Sequence, residues 1–122
     1  MTFLIDTHIL LWLVKGDPRL TVANKNLIID KRNLKLFSKA SLWEIAIKTS
    51  VGKLDIPVPL DLLVPKEISI LDIDMPYFLA IQNLPFHHRD PFDRMIIAQA
   101  LTEDIHIMSD DPHFPVYGVK LI

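Results

Sequence analysis

The sequence predicts an α/β fold in which a mostly parallel central sheet is flanked by helices. Three observations predict it. Short apolar runs of strand length alternate with helical patterns from one end of the chain to the other, as right-handed βαβ crossovers require. At 122 residues, half of them hydrophobic, the chain is expected to form one domain over residues 1–122 with an ample core. Acidic residues stand where several of these runs begin or end, and an open α/β sheet places its ligand groups outside the carboxyl ends of its strands.

Taken in order, Thr2 to Ile5 reads as a buried strand, and Ile9, Leu10, Leu13 and Val14 then recur at helical spacing until Gly16-Asp17-Pro18 stops the pattern. Thr21 is placed to cap a second helix reaching about Lys31, and Leu34 to Phe37 is a short strand. Ser38 caps a helix expected to run to about Val51, where Gly52 supplies a stop. Pro57, Pro59 and Pro65 bracket a short helical piece around Leu60 to Leu63. Ile68 to Ile73 is the third strand, and Met75 to Asn83 a weaker helix. Pro91, at a first-turn position, opens a strong helix to about Glu103. Ile105 to Ser109 and Val119 to Ile122 complete the strands.

Composition narrows the chemistry. Cysteine is absent, which excludes disulfides and thiolate metal sites and fits a reducing cytoplasm, the expected location. The apolar stretch from Phe3 to Val14 contains Asp6 and His8, follows no basic run and is too short to span a bilayer, so no membrane association is expected. A net charge of −2 gives no bulk attraction to nucleic acid, so such a substrate would be held by local Lys and Arg and by metal ions. The positive mean hydropathy leaves apolar surface for a partner, and oligomerisation is expected.

Four acids carry the functional reading: Asp6 after the first strand, Glu44 within Ser41-Leu42-Trp43-Glu44-Ile45-Ala46, Asp93 within Asp90-Pro91-Phe92-Asp93-Arg94, and Asp111 after the strand ending at Ser109. Each also has a bland reading. Asp6 is a natural N-cap; Ser41-x-x-Glu44 matches a capping box and Glu44 to Lys48 an i,i+4 ion pair. Asp90 caps the helix that Pro91 opens, the helix dipole favours Asp93 at its third position, and Asp110-Asp111-Pro112 forms a turn without further duty. All these readings must hold at once for a shared site to vanish, and four acids at element ends favour one cleft. Carboxylates gathered there repel one another and call for a hard divalent cation with oxygen ligands. The five histidines lack a tight metal-binding spacing and are read as surface or structural, with His8, beside Asp6, set apart. Ser109 is placed to hydrogen-bond a ligating carboxylate. Trp12, Trp43, Phe92 and Tyr117 are read as core or interface residues.

Leu4-Ile5-Asp6-Thr7-His8, Ser41 to Lys48, Arg89 to Ala100 and Ser109-Asp110-Asp111-Pro112-His113-Phe114 together resemble the PIN domain, specifically the VapC-like toxin type of small prokaryotic endoribonucleases. The stretches run in the family's order from end to end, and Asp-Pro-Phe-Asp-Arg with its following helix is the most specific. The resemblance implies a PIN-like three-layer fold. It also implies that Asp6, Glu44, Asp93 and Asp111 form the catalytic and metal-binding quartet, with Phe114, three residues on, selecting Asp111 over Asp110. Thr7, His8, Ser109, Asp110 and Asp90 would support the site. The implied cofactor is Mg2+ or Mn2+, one or two ions per site, and the implied reaction is hydrolysis of an RNA phosphodiester. A homodimer and a VapB-like antitoxin are the implied partners. Arg89, Arg94, Lys15 and Lys48 are candidate phosphate contacts.

Other classes fit less well. A phosphoryl-accepting receiver would show paired acids after the first strand, where Thr7 and His8 follow Asp6. A phosphatase of the haloacid-dehalogenase type needs a second Asp at position 8, which is His. The remaining alternative is a non-catalytic PIN-fold module that binds RNA or protein.

Overall fold

The apolar run that closes Thr2–Ile5 builds the centre of the molecule. In the computed structural model, which describes residues 1–122, this segment is strand β1, fully buried from Phe3 to Ile5. Phe3 and Ile5 face one side of the sheet and Leu4 the other, as the two-residue period of a strand requires. Helix α1 (Thr7–Lys15) ends at Gly16, whose φ of 64° is the left-handed conformation that a C-cap glycine adopts without strain. Helix α2 (Val22–Ile29) is capped by the Thr21 hydroxyl, which accepts from the Asn24 N–H. It stops short of Lys31 because Asp30 leaves helical geometry and its carboxylate forks with Arg32.

Strand β2 (Leu34–Ser38) leads directly into helix α3 (Lys39–Ser50), with the Ser38 hydroxyl accepting from the Ala40 N–H. The start at Lys39 corrects the capping-box reading, since Ser41 lies inside the helix and does not cap it. A 3-10 turn at Leu60–Leu62 precedes strand β3 (Ile68–Leu71), helix α4 (Met75–Gln82) and helix α5 (Pro91–Glu103). Strand β3 ends before Ile73, which instead packs near Ala40, Tyr77 and Met95. Strands β4 (His106–Met108) and β5 (Lys120–Leu121) are each shorter than their apolar runs.

The five strands are all parallel, in the order β3-β2-β1-β4-β5. Residues of α1, α2 and α3, including Ile9, Leu10, Ile28 and Ile45, cover one face around Phe3, Ile5 and Phe37. On the other, Ile96, Ile97 and Ala100 of α5 pack with Leu4, Ile107 and Phe114. The result is the three-layer α/β architecture that the sequence predicts. The chain leaves β1 toward β2 on one side and later returns to lay β4 on the other. The crevice between β1 and β4 is therefore a topological switch point, and the parallel strands put their carboxyl ends at its mouth.

Candidate active site

Asp6 is the first residue past β1, and its N–H still bonds the Met108 carbonyl of β4 at 3.1 Å, which fixes it over the switch-point crevice. Its carboxylate accepts from the Thr7 N–H at 2.7 Å and from the Ser109 hydroxyl at 2.7 Å. Only the first amide of α1 is served by this side chain, so helix capping accounts for one of its oxygens and Ser109 for the other. Ser109 in turn accepts from the Asp111 N–H at 3.0 Å and so links the end of β1 to the loop after β4. Burial pushes the Asp6 carboxyl up to about 6 despite these hydrogen bonds.

Glu44 comes from the second turn of α3. Thr7 anchors that helix, since its hydroxyl donates to the Ser41 hydroxyl at 2.8 Å, one turn before Glu44, and both residues are buried. The Glu44 side chain is only 7% exposed, and its Oε2 accepts from Lys48 at 2.8 Å. That contact raises the Lys48 ammonium above its ordinary range.

Asp93 lies at the third position of α5, and Asp90 is the cap, accepting from the Phe92 and Asp93 amides at 2.9 and 3.0 Å. Burial first, then Asp90, Asp6, Asp111 and Glu44, push the Asp93 carboxyl up to about 8. Four separate elements thus deliver Asp6, Glu44, Asp93 and Asp111 to one cleft of ≈ 270 Å³, whose other walls are Thr7, His8, Lys48, His88, Asp90 and His113.

The histidines at the rim are the residues that sequence reasoning missed. His88 Nε2 lies 3.2 Å from Asp93 Oδ2, and His113 Nδ1 lies 3.0 Å from Asp111 Oδ1. The two imidazoles stack with centroids 4.8 Å apart and planes 8° from parallel. Burial, then the neighbouring His113, holds the His88 imidazole below its ordinary range. The available signal was local: His88 stands five residues before Asp93, and His113 two after Asp111. Ser41 and Tyr117, which hold Thr7 and His88, gave no signal of their own.

Several candidates lie elsewhere. Arg94 is buried, its guanidinium donating to the carbonyls of Leu84 and Pro85 and to the Tyr117 hydroxyl, so it is a structural clamp and not a phosphate contact. Arg89 is exposed on an apolar groove that Trp43, Phe78, Phe86 and Phe92 line beside the cleft. Asp110 is exposed and outside the cleft, leaving Asp111 as its wall. Lys15 lines a neighbouring groove, and Lys48 lines both.

The donor set suits a hard divalent cation: carboxylate oxygens predominate, sulfur is absent, and two of the carboxyls are held well above their ordinary range by burial, with neighbouring carboxylates contributing at Asp93. No three of these side chains are gathered closely enough to form a coordination sphere by themselves. Lys48, Ser109 and the two histidines occupy carboxylate oxygens that a cation would share.

A family model of the PIN domain matches residues 3–120. The chain belongs to the PIN domain family. No curated protein matches it significantly by sequence. Among solved structures, this PIN domain is similar to VapBC2 from Rickettsia felis bound to a DNA fragment from its promoter, with a TM-score of 0.76 and 16% identity over 100% of this chain and 98% of that one. DNA-bound VapBC from Salmonella typhimurium gives 0.75 and 16%, covering 100% and 97%. VapBC-1 from nontypeable Haemophilus influenzae gives 0.69 and 17%, also covering 100% and 97%. At such identities the likeness establishes the fold.

Proposed function

We propose that this PIN domain is a metal-dependent endoribonuclease and the toxin component of a VapBC-type toxin–antitoxin pair. The observation that carries the reading is the meeting of Asp6, Glu44, Asp93 and Asp111 in one cleft at the switch point of the sheet. Asp6, Asp93 and Asp111 would hold Mg2+ or Mn2+, with Glu44 as a further ligand or as the group that orients the attacking water. A cation bound there lowers the pKa of that water and neutralises charge on the phosphate and the leaving oxygen.

The chain's own residues prepare this chemistry. Ser109 fixes the Asp6 carboxylate, Thr7 fixes the helix that carries Glu44 through Ser41, and His88 fixes Asp93. The Glu44 carboxylate is nearly buried and bonded to Lys48, and would give up that contact to orient water or to help hold a cation.

The solved relatives named VapBC are complexes, and that supports a VapB-like antitoxin as partner. Such a partner would cover apolar surface and bring an Arg or Lys to the carboxylates, so that inhibition combines occlusion with neutralisation. A homodimer of the toxin in the cytoplasm completes the proposal. No helix of the protein is long and apolar enough to cross a membrane. The test is cleavage of RNA by the purified chain with Mg2+ or Mn2+, its suppression by chelator, and its suppression by the product of the adjacent gene.

A further inference from the structure

A second groove, of ≈ 240 Å³, opens from the acidic cleft and shares Thr7, His8, Glu44 and Lys48 with it. Its remaining polar wall is cationic, with Lys15 from the last turn of α1 and Arg19 from the loop beyond. The Arg19 guanidinium lies over the Trp12 indole, Cζ 5.0 Å from the ring centroid, and the His8 ring is 6.5 Å from the same indole. In a chain of net charge −2, this places Lys15, Lys48 and Arg19, the latter two ion-paired with Glu44 and Asp17, and a half-buried indole beside four carboxylates. The opposite flank is apolar, lined by Trp43, Phe78, Phe86 and Phe92. That flank also sets charge against rings, with Arg89 exposed on it and Arg94 Cζ 4.1 Å from the Phe86 centroid, but it shares no residue with the acidic cleft. The α1 groove, which shares four, joins positive charge to a π surface at the carboxylates themselves, the pairing that unpaired nucleotides use: phosphates on Lys and Arg, bases on aromatic or guanidinium planes.

We propose that the α1 groove is the binding subsite for the single-stranded RNA segment adjoining the scissile phosphate. Lys15 and Lys48 receive backbone phosphates, and the Trp12–Arg19 pair receives a base. The sequence alone assigns Trp12 to the core or an interface; its place in a groove continuous with the cleft gives it this second use. The charge order along the path is then coherent. A strand enters over cations and reaches the carboxylates only where a divalent ion offsets their repulsion. The inference rests on RNA being the substrate, as proposed above.

The test uses the full chain carrying Asp93→Asn, with Mg2+ present, so that a short labelled single-stranded RNA of mixed sequence is bound without being cut. Fluorescence anisotropy over a salt series gives the slope of log affinity against log salt. Lys15→Ala and Arg19→Ala should each weaken binding and reduce that slope by about 0.7. A duplex of the same sequence should bind more weakly, because paired bases cannot stack in the groove. A readout that leaves the groove intact comes from Trp43→Phe, which leaves Trp12 as the one remaining tryptophan. Its emission should be quenched along the binding isotherm.

Unchanged slopes in both cation variants with an unquenched Trp12 overturn the proposal. So does loss of antitoxin binding with RNA affinity unchanged, which would give the groove to a protein partner. An absence of RNA binding overturns it together with the nuclease reading. Cleavage by the wild type with unchanged slopes sinks the groove alone, and bound RNA with reduced slopes but no cleavage sinks the nuclease alone.

Discussion

The His88 imidazole donates to the Asp93 carboxylate from Nε2, 3.2 Å from Oδ2, and Tyr117 fixes that direction. The Tyr117 oxygen accepts from the His88 N–H at 3.1 Å and from Arg94 Nη1 at 3.2 Å, which fills both of its lone pairs. Its own O–H has two acceptors in reach, His88 Nδ1 at 2.7 Å and the His88 carbonyl at 3.4 Å, and the shorter contact makes Nδ1 the acceptor and puts the ring proton on Nε2. Nitrogen-15 NMR should show the Nε2–H tautomer for His88, titrating below the ordinary histidine range. Tyr117→Phe removes the donor to Nδ1 and should move that titration upward. An Nδ1–H tautomer in the unaltered protein would contradict the accounting.

Asp93→Asn separates a carboxylate needed for chemistry from one that only starts a helix. Asparagine keeps polarity in the first turn of α5, and Asp90 remains the cap. Metal-dependent RNA cleavage should fall by about a hundredfold or more. In chelator at neutral pH the variant should be at least as stable as the wild type, because it removes a carboxyl that Asp90, Asp6, Asp111 and Glu44 all oppose. A variant that melts early yet retains its specific activity would return Asp93 to a capping role.

Stability of the metal-free protein should fall as pH rises. An acid whose folded pKa lies above its unfolded value binds its proton more tightly when folded. Its contribution is complete below the ordinary value of 3.8 and is lost on the way up, through about 6 for Asp6 and about 8 for Asp93. Thermal melts in chelator across that interval should show a declining Tm, and saturating Mn2+ should flatten the decline by taking the place of the protons. A Tm that climbs over the same interval in chelator would contradict the electrostatic description of the cleft.

Arg94→Ala should act on folding. It leaves the Leu84 and Pro85 carbonyls without a side-chain donor and removes one of the two donors to the Tyr117 hydroxyl, a cost of about 2–4 kcal/mol. Arg89→Ala, on an exposed side chain, should stay within about 0.5 kcal/mol of wild type. Urea unfolding distinguishes the two, and an Arg94→Ala protein of unchanged midpoint would restore the phosphate-contact reading.

The pattern of residue types made the sheet and its helices legible. The continuous apolar run of β1, buried on both faces, and the Pro91 start of α5 both express local rules, and the four acids stood out because they sit at the ends of such elements. Strand lengths were less legible, because pairing depends on neighbours: Ile73 is as apolar as Ile70, yet packs beside Tyr77 and not in the sheet. Arg94 was misread for the same reason, since three acceptors brought together by the fold, two of them main-chain carbonyls, decide its burial. His88 and His113 join the cleft through contacts to Tyr117 and to each other that no spacing announces.

The central claim is that the four-carboxylate cleft cuts RNA. Purified wild type, incubated with single-stranded RNA and Mn2+ or Mg2+, should generate new RNA ends that disappear in chelator and in Asp6→Asn and Asp93→Asn proteins of unchanged fold. RNA that the folded, metal-supplied protein binds and leaves whole would contradict the claim and identify the chain as a non-catalytic PIN domain.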